Sequence, residues 1–190
     1  MHGIILVELH QYVKQRLGKA AWGEILKAAG LDNRVYFALD TYPDAEVAPL
    51  ATAIAQRMGL ELPLLLEEFG EFITPDLLRM YGSLLNPEWR TLDVIENTEV
   101  TIHRVVRMRE RNARPPELVC KRRNPGHVIV TYRSERRLCA IAKGIARGLA
   151  RHFNEAIEIQ ELFCMLHAAS ACEIHVRVRK PGTPSSRPVL

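Results

Sequence analysis

The sequence predicts an α+β fold, in which an N-terminal helical lobe packs on a C-terminal lobe with a four-stranded antiparallel sheet and a crossing helix. Two observations support this prediction. In the first half, apolar residues recur every three or four positions, which is the period of an amphipathic helix. After Pro115 and Pro116, apolar and polar residues alternate as in half-buried strands, except in one helical stretch between residues 134 and 153.

The predicted helices of the first half follow one another with clear ends. Ile5 and Leu9 lie on the apolar stripe of the first helix, "AAWGEILKAAG" ends at Gly30, and "PDAEVAPLATAIAQRMG" ends at Gly59. "LPLLLEEFGEFI" and "TPDLLRMYGSLL" are predicted as two helices, because Thr-Pro is a typical helix start. A longer helix is predicted from about residue 90 to residue 111, where the prolines end it.

The second half supplies the strands. "ELVCK" and "GHVIVTY" flank the turn "RRNPG", and "IEIQ" and "CEIHVRVRK" are separated by a cysteine-bearing connection. Between these two pairs, "SERRLCAIAKGIARGLARHF" has its apolar residues on one side of a helix. Residues 181–190 are predicted to form a flexible tail.

Length and composition limit the classes of function. A chain of 190 residues can form one domain with its own core, and its net charge of +4 only weakly indicates an anionic partner. The start "MHGIILVELHQYV" contains Glu8 and lacks a basic lead-in, so it indicates a helix rather than a signal peptide, and no apolar run is long enough to span a membrane. We therefore expect a cytoplasmic protein without membrane association, whose four cysteines stay reduced.

A set of hydrogen-bond donors lies where a strand gives way to a helix, in "VTYRSERRLC". Tyr132 and Ser134 are two residues apart and so face the same side of a strand, and Arg136 follows in the next turn. A phenol, a hydroxyl and a guanidinium together suit a carboxylate or a phosphate. The alternative is an exposed turn, in which Ser134 caps the helix and Arg136 is solvated.

His103 lies in the predicted long helix, where a single histidine is more typical of packing. Together with the prolines and "YRSERRL", however, "TIHRVV" resembles the heme-binding nitric oxide/oxygen sensor family, called H-NOX or HNOB, in its bacterial stand-alone type. The agreement with the family's sequence pattern includes, in order, the start "MHGII", the "W", "IL" and "AGL" of the second helix, and "EEFGEF". The resemblance covers about residues 1–180 and implies a single heme domain, with a distal lobe at 1–60, a proximal lobe at 61–180 and the heme between them.

The resemblance assigns roles to the residues described above. His103 matches the axial ligand of the iron of heme b, which leaves the sixth coordination position open to a gas. The phenol, hydroxyl and guanidinium of the YxSxR element match the groups that bind the heme propionates. Either Pro115 or Pro116 matches the proline that bends the porphyrin.

The residues at the family's distal positions are apolar in this chain. Oxygen-binding members place a tyrosine where this chain has Ile141, because iron-bound oxygen needs a hydrogen-bond donor. The other distal matches are Ile5, Leu9, Ile73 and Leu77. We therefore expect ferrous heme that binds nitric oxide and carbon monoxide and excludes oxygen, unless Tyr12, Tyr81 or His10 turns inward.

The resemblance implies a sensor and not an enzyme. In the family, nitric oxide releases the axial histidine, and the two lobes then shift against each other. No catalytic domain fits in the residues left over, so we expect signalling in trans to a partner such as a histidine kinase or a cyclic-di-GMP enzyme.

Three cysteines predict a second metal site. Some family members bind zinc through cysteines placed like Cys139, Cys164 and Cys172 and a histidine at the position of Glu161. The fourth ligand here is therefore Glu161 or His167, and thiolate oxidation would add a redox input. The alternative is three reduced cysteines packed in the interior.

Two other classes of function stay open. One is a zinc-dependent redox or small-molecule binding module on the same fold without functional heme. The other is a heme enzyme, for which the sequence shows no polar distal acid or base. The basic run between residues 104 and 123 lacks interleaved aromatic residues, so we expect a solvated or partner-docking face and no nucleic-acid binding.

Overall fold

The computed structural model describes residues 1–109 and 113–179 of the chain. The predicted tail at 181–190 and the last two residues of the predicted long helix lie outside these ranges. The described residues confirm the α+β fold, since the helices come first and a four-stranded antiparallel sheet with a single further helix follows.

The N-terminal half is helical, as the apolar period predicts. Its helices are α1 (Gly3–Leu17), α2 (Ala21–Ala28), α3 (Val47–Met58) and α4 (Leu62–Tyr81), with 3₁₀ turns at Asp44–Glu46 and Gly82–Leu84. Gly59 ends α3 in the left-handed conformation, at φ 65°, which glycine adopts without steric cost. Among the helices described, none is both long and apolar enough to cross a membrane.

α4 corrects the prediction of two separate helices. It continues through Thr74 and Pro75, although Pro75 has no N–H to bond the carbonyl group four residues earlier. Apolar side chains on both sides of the proline, among them Ile73 and Leu77, pack on the N-terminal core, and this burial holds the helix together. The Thr74 hydroxyl also donates to the carbonyl of Gly70 at 2.9 Å.

The predicted long helix is helical as far as it is described, but it is not regular. α5 (Thr91–Asn97) passes into a π turn, Glu99–His103, and then into α6 (Arg104–Arg109). The N–H of His103 bonds the carbonyl of Thr98, five residues earlier, at 3.0 Å. A π turn holds one extra residue, so it rotates the side chains that follow by about 100° relative to a regular helix.

The sheet and its crossing helix agree with the prediction. The strands are β1 (Glu117–Asn124), β2 (His127–Arg133), β3 (Ile157–Phe163) and β4 (Cys172–Val178), and α7 (Cys139–His152) connects β2 to β3. Their spatial order is β1-β2-β4-β3, and each neighbouring pair is antiparallel. Val128 and Val176 of the sheet belong to the same core as Leu149 of α7, so α7 covers one face of the sheet.

α4 and α7 join two hydrophobic cores. The N-terminal core lies among α1 to α4 and includes Phe69, so it extends past residue 60 into α4. The C-terminal core lies between α5, α7 and the sheet, and Ile145 of α7 packs against both cores. The two helices cross so closely that a Cβ atom on Gly144 would lie 2.0 Å from the carbonyl oxygen of Glu67.

Candidate functional site

A cavity of about 290 Å³ opens between α4, α7 and the segment that carries His103. Its walls are mainly apolar, and they include Ile5, Ile73, Leu77, Ile102, Val106, Ile141 and Ile145. His103, Tyr132 and Arg136 line the same cavity. The fold therefore brings residues from opposite ends of the chain to the boundary between the two cores.

His103 is positioned by the π turn and by an acidic side chain. Its Nδ1 lies 2.9 Å from Oε2 of Glu99, one turn earlier. Burial lowers the pKa of His103, and the opposing effects of Glu99 and the Pro116 carbonyl do not reverse this shift, so the imidazole is neutral at pH 7. Since Glu99 engages Nδ1, the other ring nitrogen, Nε2, is the one suited to coordinate a metal.

Glu99 belongs to the site, although no sequence motif indicated it. Its Oε2 also accepts a hydrogen bond from the N–H of Leu118 at 3.1 Å, and Arg107 pairs with its Oε1. Burial opposes the ionisation of this carboxyl, but hydrogen bonds from His103, Arg107 and Leu118 outweigh burial and hold the Glu99 pKa below its usual range. The signal that could have found it is spacing, because an acid four residues before a histidine lies on the same helix face.

Two of the three predicted donors reach the cavity. Tyr132 is buried, which raises its pKa to about 12 despite a hydrogen bond with Ser134. Arg136 lies 3.4 Å from Oδ1 of Asp44 and also donates to the carbonyl of Arg114. Ser134 lies behind them, where its Oγ accepts a hydrogen bond from the N–H of Arg136 at 3.3 Å. The alternative interpretation is wrong, because the N-cap of α7 is Leu138, without a side-chain cap hydrogen bond, and Arg136 lies beside an acid.

Pro115 and Pro116 both line the cavity. They lie in the short segment that leads into β1. The Pro116 carbonyl is also close enough to His103 to favour the protonated imidazole, although burial of the ring has the larger effect on the His103 pKa.

Most of the predicted distal residues lie on the cavity wall. These are Ile5, Ile73, Leu77 and Ile141. Leu9 lies instead in the N-terminal core, where it is 4% exposed. Ile5 and Leu9 are one helical turn apart on α1, and the cavity ends between them.

The polar side chains that could alter the distal wall differ in position. The Tyr12 hydroxyl donates to Glu68 at 2.9 Å, and the ring packs in the N-terminal core. His10 stacks on Trp22, with the ring centroids 4.7 Å apart. Tyr81, the last residue of α4, does line the cavity.

A protein-family model described as Haem-NO-binding matches residues 2–161. The chain belongs to this family. A crystal structure of an H-NOX protein from S. oneidensis in the Fe(II)NO ligation state superposes with a TM-score of 0.87 at 24% identity, covering 95% of this chain and 100% of that one. No match was found among curated proteins.

Further H-NOX structures resemble the chain to a similar degree. An NMR structure of an H-NOX domain from Shewanella oneidensis in the Fe(II)CO ligation state has a TM-score of 0.84 at 24% identity and covers 94% of this chain and 99% of that one. An unliganded Fe(II) H-NOX mutant from K. algicida has a TM-score of 0.86 at 21% identity, with coverage of 96% and 98%. At these identities the likeness shows the H-NOX fold.

The cavity of this H-NOX chain has the chemical groups that a heme needs. Its apolar walls suit a porphyrin, and a neutral imidazole suits an iron. Arg136 lies at the cavity beside Asp44, and its guanidinium has several N–H donors, so it can also bind an acid such as a propionate. The residues present therefore fit the group that the family name implies.

The predicted cysteines meet at a second place in this H-NOX chain. Sγ of Cys164 lies 3.6 Å from Sγ of both Cys139 and Cys172. A carboxylate oxygen of Glu161 joins them, and these ligand atoms all lie within 4.8 Å of one another. We call this group the thiol cluster. His167, the other predicted fourth ligand, is exposed in the 3₁₀ turn Met165–His167, and the structure does not bring it to the cluster.

Only one oxygen of the Glu161 carboxylate has a hydrogen-bond partner among the described residues. Its Oε2 accepts a hydrogen bond from Lys143 at 3.0 Å, while its Oε1 is buried and has no hydrogen-bond partner among the described residues. Burial raises the pKa of the Cys139 thiol, and the negative charge of Glu161 raises it further. Three thiols with an unpartnered carboxylate oxygen are a donor set that suits a tetrahedral zinc ion, whose charge would favour the thiolates.

Proposed function

We propose that this protein is a heme-based gas sensor that binds nitric oxide at ferrous heme b. The observation that carries the proposal is His103, an imidazole on a π turn that lines an apolar cavity together with Arg136 and Tyr132. When bound, heme supplies an iron with an open sixth coordination position for a diatomic gas. His103 would be the protein's ligand to the iron, and Arg136 would bind a propionate.

The apolar wall supports selectivity for nitric oxide and carbon monoxide over oxygen. Ile5, Ile73 and Ile141 offer no hydrogen-bond donor on the side that we propose is distal. Bound oxygen gains negative charge and needs such a donor, whereas nitric oxide binds ferrous heme without one. Tyr81 lies a full turn beyond Leu77 on α4, and it is the side chain whose donor would weaken this selectivity if it reached the gas.

We further propose that gas binding is converted into a movement of two lobes, a distal one built around the N-terminal core and a proximal one built around the C-terminal core. The cavity lies between the two cores, and residues of α4 and α7 line it. His103 would hold the iron until nitric oxide binds, and its helical segment would be free to move once the histidine is released. A partner in trans, such as a histidine kinase or a cyclic-di-GMP enzyme, would read the movement, and the protein itself would catalyse no reaction.

The test is the absorption spectrum of the heme-loaded full chain. We expect a five-coordinate ferrous spectrum that is unchanged in air and changes on addition of nitric oxide. His103→Gly should abolish the axial bond from the protein, and added imidazole should restore a five-coordinate spectrum. His152→Gly, which removes an exposed histidine of α7, is the matched control and should leave the spectrum unchanged.

Three results would contradict the proposal. A stable oxygen complex in air would show that the distal wall does not exclude oxygen. A ferrous spectrum that is the same with and without His103 would show that the iron has a different ligand, and failure of the wild-type chain to bind heme would favour a zinc-dependent module without heme.

The thiol cluster favours zinc as a second ligand, with oxidation of its thiolates as a redox input. The supporting observation is the buried Oε1 of Glu161, which lacks a partner among the described residues and lies with three thiols. Dialysed protein should retain about one zinc per chain, measured by mass spectrometry. Glu161→Gln should lower the zinc affinity, whereas Glu158→Gln, an exposed acid on the same strand, should not. Equal zinc retention in the two variants would exclude Glu161 as a ligand.

A further inference from the structure

Glu99 connects His103 to two other parts of the fold. Its Oε2 lies 2.9 Å from Nδ1 of His103 and 3.1 Å from the backbone nitrogen of Leu118 at the start of β1. Its Oε1 pairs with Arg107 of α6. One carboxylate therefore contacts the imidazole, the next helix and the sheet, and both of its oxygens are engaged.

The geometry of the π turn makes these contacts compatible. Glu99 and His103 are the first and last residues of the turn, and their side chains meet at a spacing of four residues. β1 is an edge strand of the sheet, and the N–H of Leu118 bonds Glu99. The carboxylate thus fixes the orientation of the imidazole relative to the sheet edge as well as along the helix.

A second acid on the same helical segment contacts β1 without contacting the imidazole. Glu96 pairs with Arg122 at 2.8 Å and joins α5 to β1 without involving His103. Glu99 is 23% exposed and His103 is 13% exposed, so solvent screens their hydrogen bond less than it screens a typical surface pair.

A carboxylate that accepts a hydrogen bond from the second nitrogen of a metal-bound histidine has two known effects. It fixes the tautomer and orientation of the ring, and it makes the coordinating nitrogen more basic. A more basic nitrogen binds the metal more strongly. In a sensor whose histidine must leave the iron, such a carboxylate sets how readily that bond breaks.

We propose that Glu99 is the positioning residue that sets the strength of the bond between His103 and the heme iron, and that it transmits the release of His103 to the start of β1. This inference rests on the proposed heme function. Release would break the bond that Nε2 of His103 makes to the iron, with nitric oxide as the incoming ligand; the electron pair would stay on the nitrogen, and the imidazole would leave as a neutral group. Because Glu99 stays bonded to the ring, movement of His103 pulls on the contact with Leu118.

Glu99→Gln, made in the heme-loaded full chain, tests the first half of the proposal. The amide keeps the shape of the side chain but is a weaker acceptor. We expect a lower iron–histidine stretching frequency in the resonance Raman spectrum of the unliganded ferrous protein. We also expect His103 to leave at least about tenfold faster after nitric oxide is added, the lower end of the effect of losing an outer-shell partner.

Glu96→Gln is the matched control and should change neither the frequency nor the rate. Arg107→Gln removes the contact to Oε1 but keeps Glu99, whose carboxylate then becomes a stronger acceptor for the imidazole. It should therefore shift both quantities in the opposite direction, to a higher frequency and a slower release, and it serves as the test if Glu99→Gln does not retain heme. If the variant that retains heme has the wild-type frequency and rate, the inference is overturned while the heme function stands. A wild-type chain that shows no iron–histidine vibration would overturn the proposed function itself.

Hydrogen exchange at the Leu118 amide tests the second half. In the wild type, nitric oxide should speed exchange at this amide, because movement of His103 weakens the hydrogen bond to Glu99. In Glu99→Gln the difference between the free and the nitric oxide-bound states should be smaller. Exchange at Leu118 that is unaffected by nitric oxide in the wild type would show that Glu99 does not carry the signal to β1.

Discussion

Replacing Gly144 by alanine should destabilise the protein by forcing α4 and α7 apart. The new Cβ atom would lie 2.0 Å from the carbonyl oxygen of Glu67 and 2.9 Å from Cα of Gly70. Both neighbours are backbone atoms, so no side-chain rotation relieves the clash. Ordinary contact begins at 3.4 Å. The helices would therefore have to separate by about 1.4 Å to increase the distance from 2.0 Å to that value.

The size of the effect follows from two opposing contributions. Overpacking of a core costs about 1–3 kcal/mol, and a backbone clash that no rotamer can avoid should lie at the upper end of this range. Alanine is the better helix former by about 1 kcal/mol, which offsets part of the cost. We expect a net loss of about 2 kcal/mol in the free energy of unfolding. For a domain of this size, that loss lowers the melting temperature by about 4–8 °C.

The assay is thermal unfolding followed by far-ultraviolet circular dichroism. Gly23→Ala in α2 is the matched control, because a Cβ atom there would meet nothing within 4 Å. Only the helix-propensity gain applies at that position, so the control should be as stable as the wild type or up to about 1 kcal/mol more stable. Equal stability of the two variants would refute the close approach of α4 and α7.

Two further predictions concern the proposed heme site. Ile141→Tyr places a phenol on the apolar wall, so bound oxygen has a hydrogen-bond donor and the ferrous protein should hold oxygen in air. The measurement is the absorption spectrum, which should change on aeration. An unchanged spectrum would place residue 141 away from the gas. Arg136→Ala removes a charge-assisted hydrogen bond of about 1.5–3 kcal/mol, so hemin affinity, measured by titration, should fall about ten- to a hundredfold. Arg133→Ala removes an exposed guanidinium nearby and should leave the affinity unchanged.

The fold class could be predicted because the period of apolar residues changes once along the chain, and the structure confirms that change. Periodicity did not predict how segments join. Thr74 and Pro75 have the sequence of a helix start, but the packing of Ile73 and Leu77 on neighbouring helices keeps α4 continuous. The π turn that ends at His103 could not be predicted either, because one extra residue in a helix leaves no mark on composition.

The candidate site could also be predicted only in part from the sequence. The sequence motifs identified His103 and Arg136, and the structure brings both to one cavity. Neighbouring turns of a helix have the same apolar character, so the sequence could not show that Ile5 reaches the cavity while Leu9 remains in the core. Glu99 was overlooked because the resemblance assigns it no role, although its spacing from His103 was visible.

The fourth ligand of the thiol cluster was left open between Glu161 and His167. Strand geometry separates them, because Glu161 lies within β3 and its side chain points to Lys143 and the cysteines, while His167 lies in an exposed turn. Distance along the chain from Cys164 is the same for both residues. Only the direction of each side chain distinguishes them, and that depends on the register of β3 with β4.

The first two turns of α7 contact several different parts of the molecule. Cys139 belongs to the thiol cluster, Ile141 and Ile145 line the cavity, Lys143 bonds Glu67 and Glu161, and Gly144 touches the backbone of α4. Few substitutions satisfy all of these neighbours at once, so this stretch should tolerate little sequence drift. Substitutions that change the gas preference should be better tolerated in α1, where Ile5 faces the cavity and has no such additional contacts to the thiol cluster.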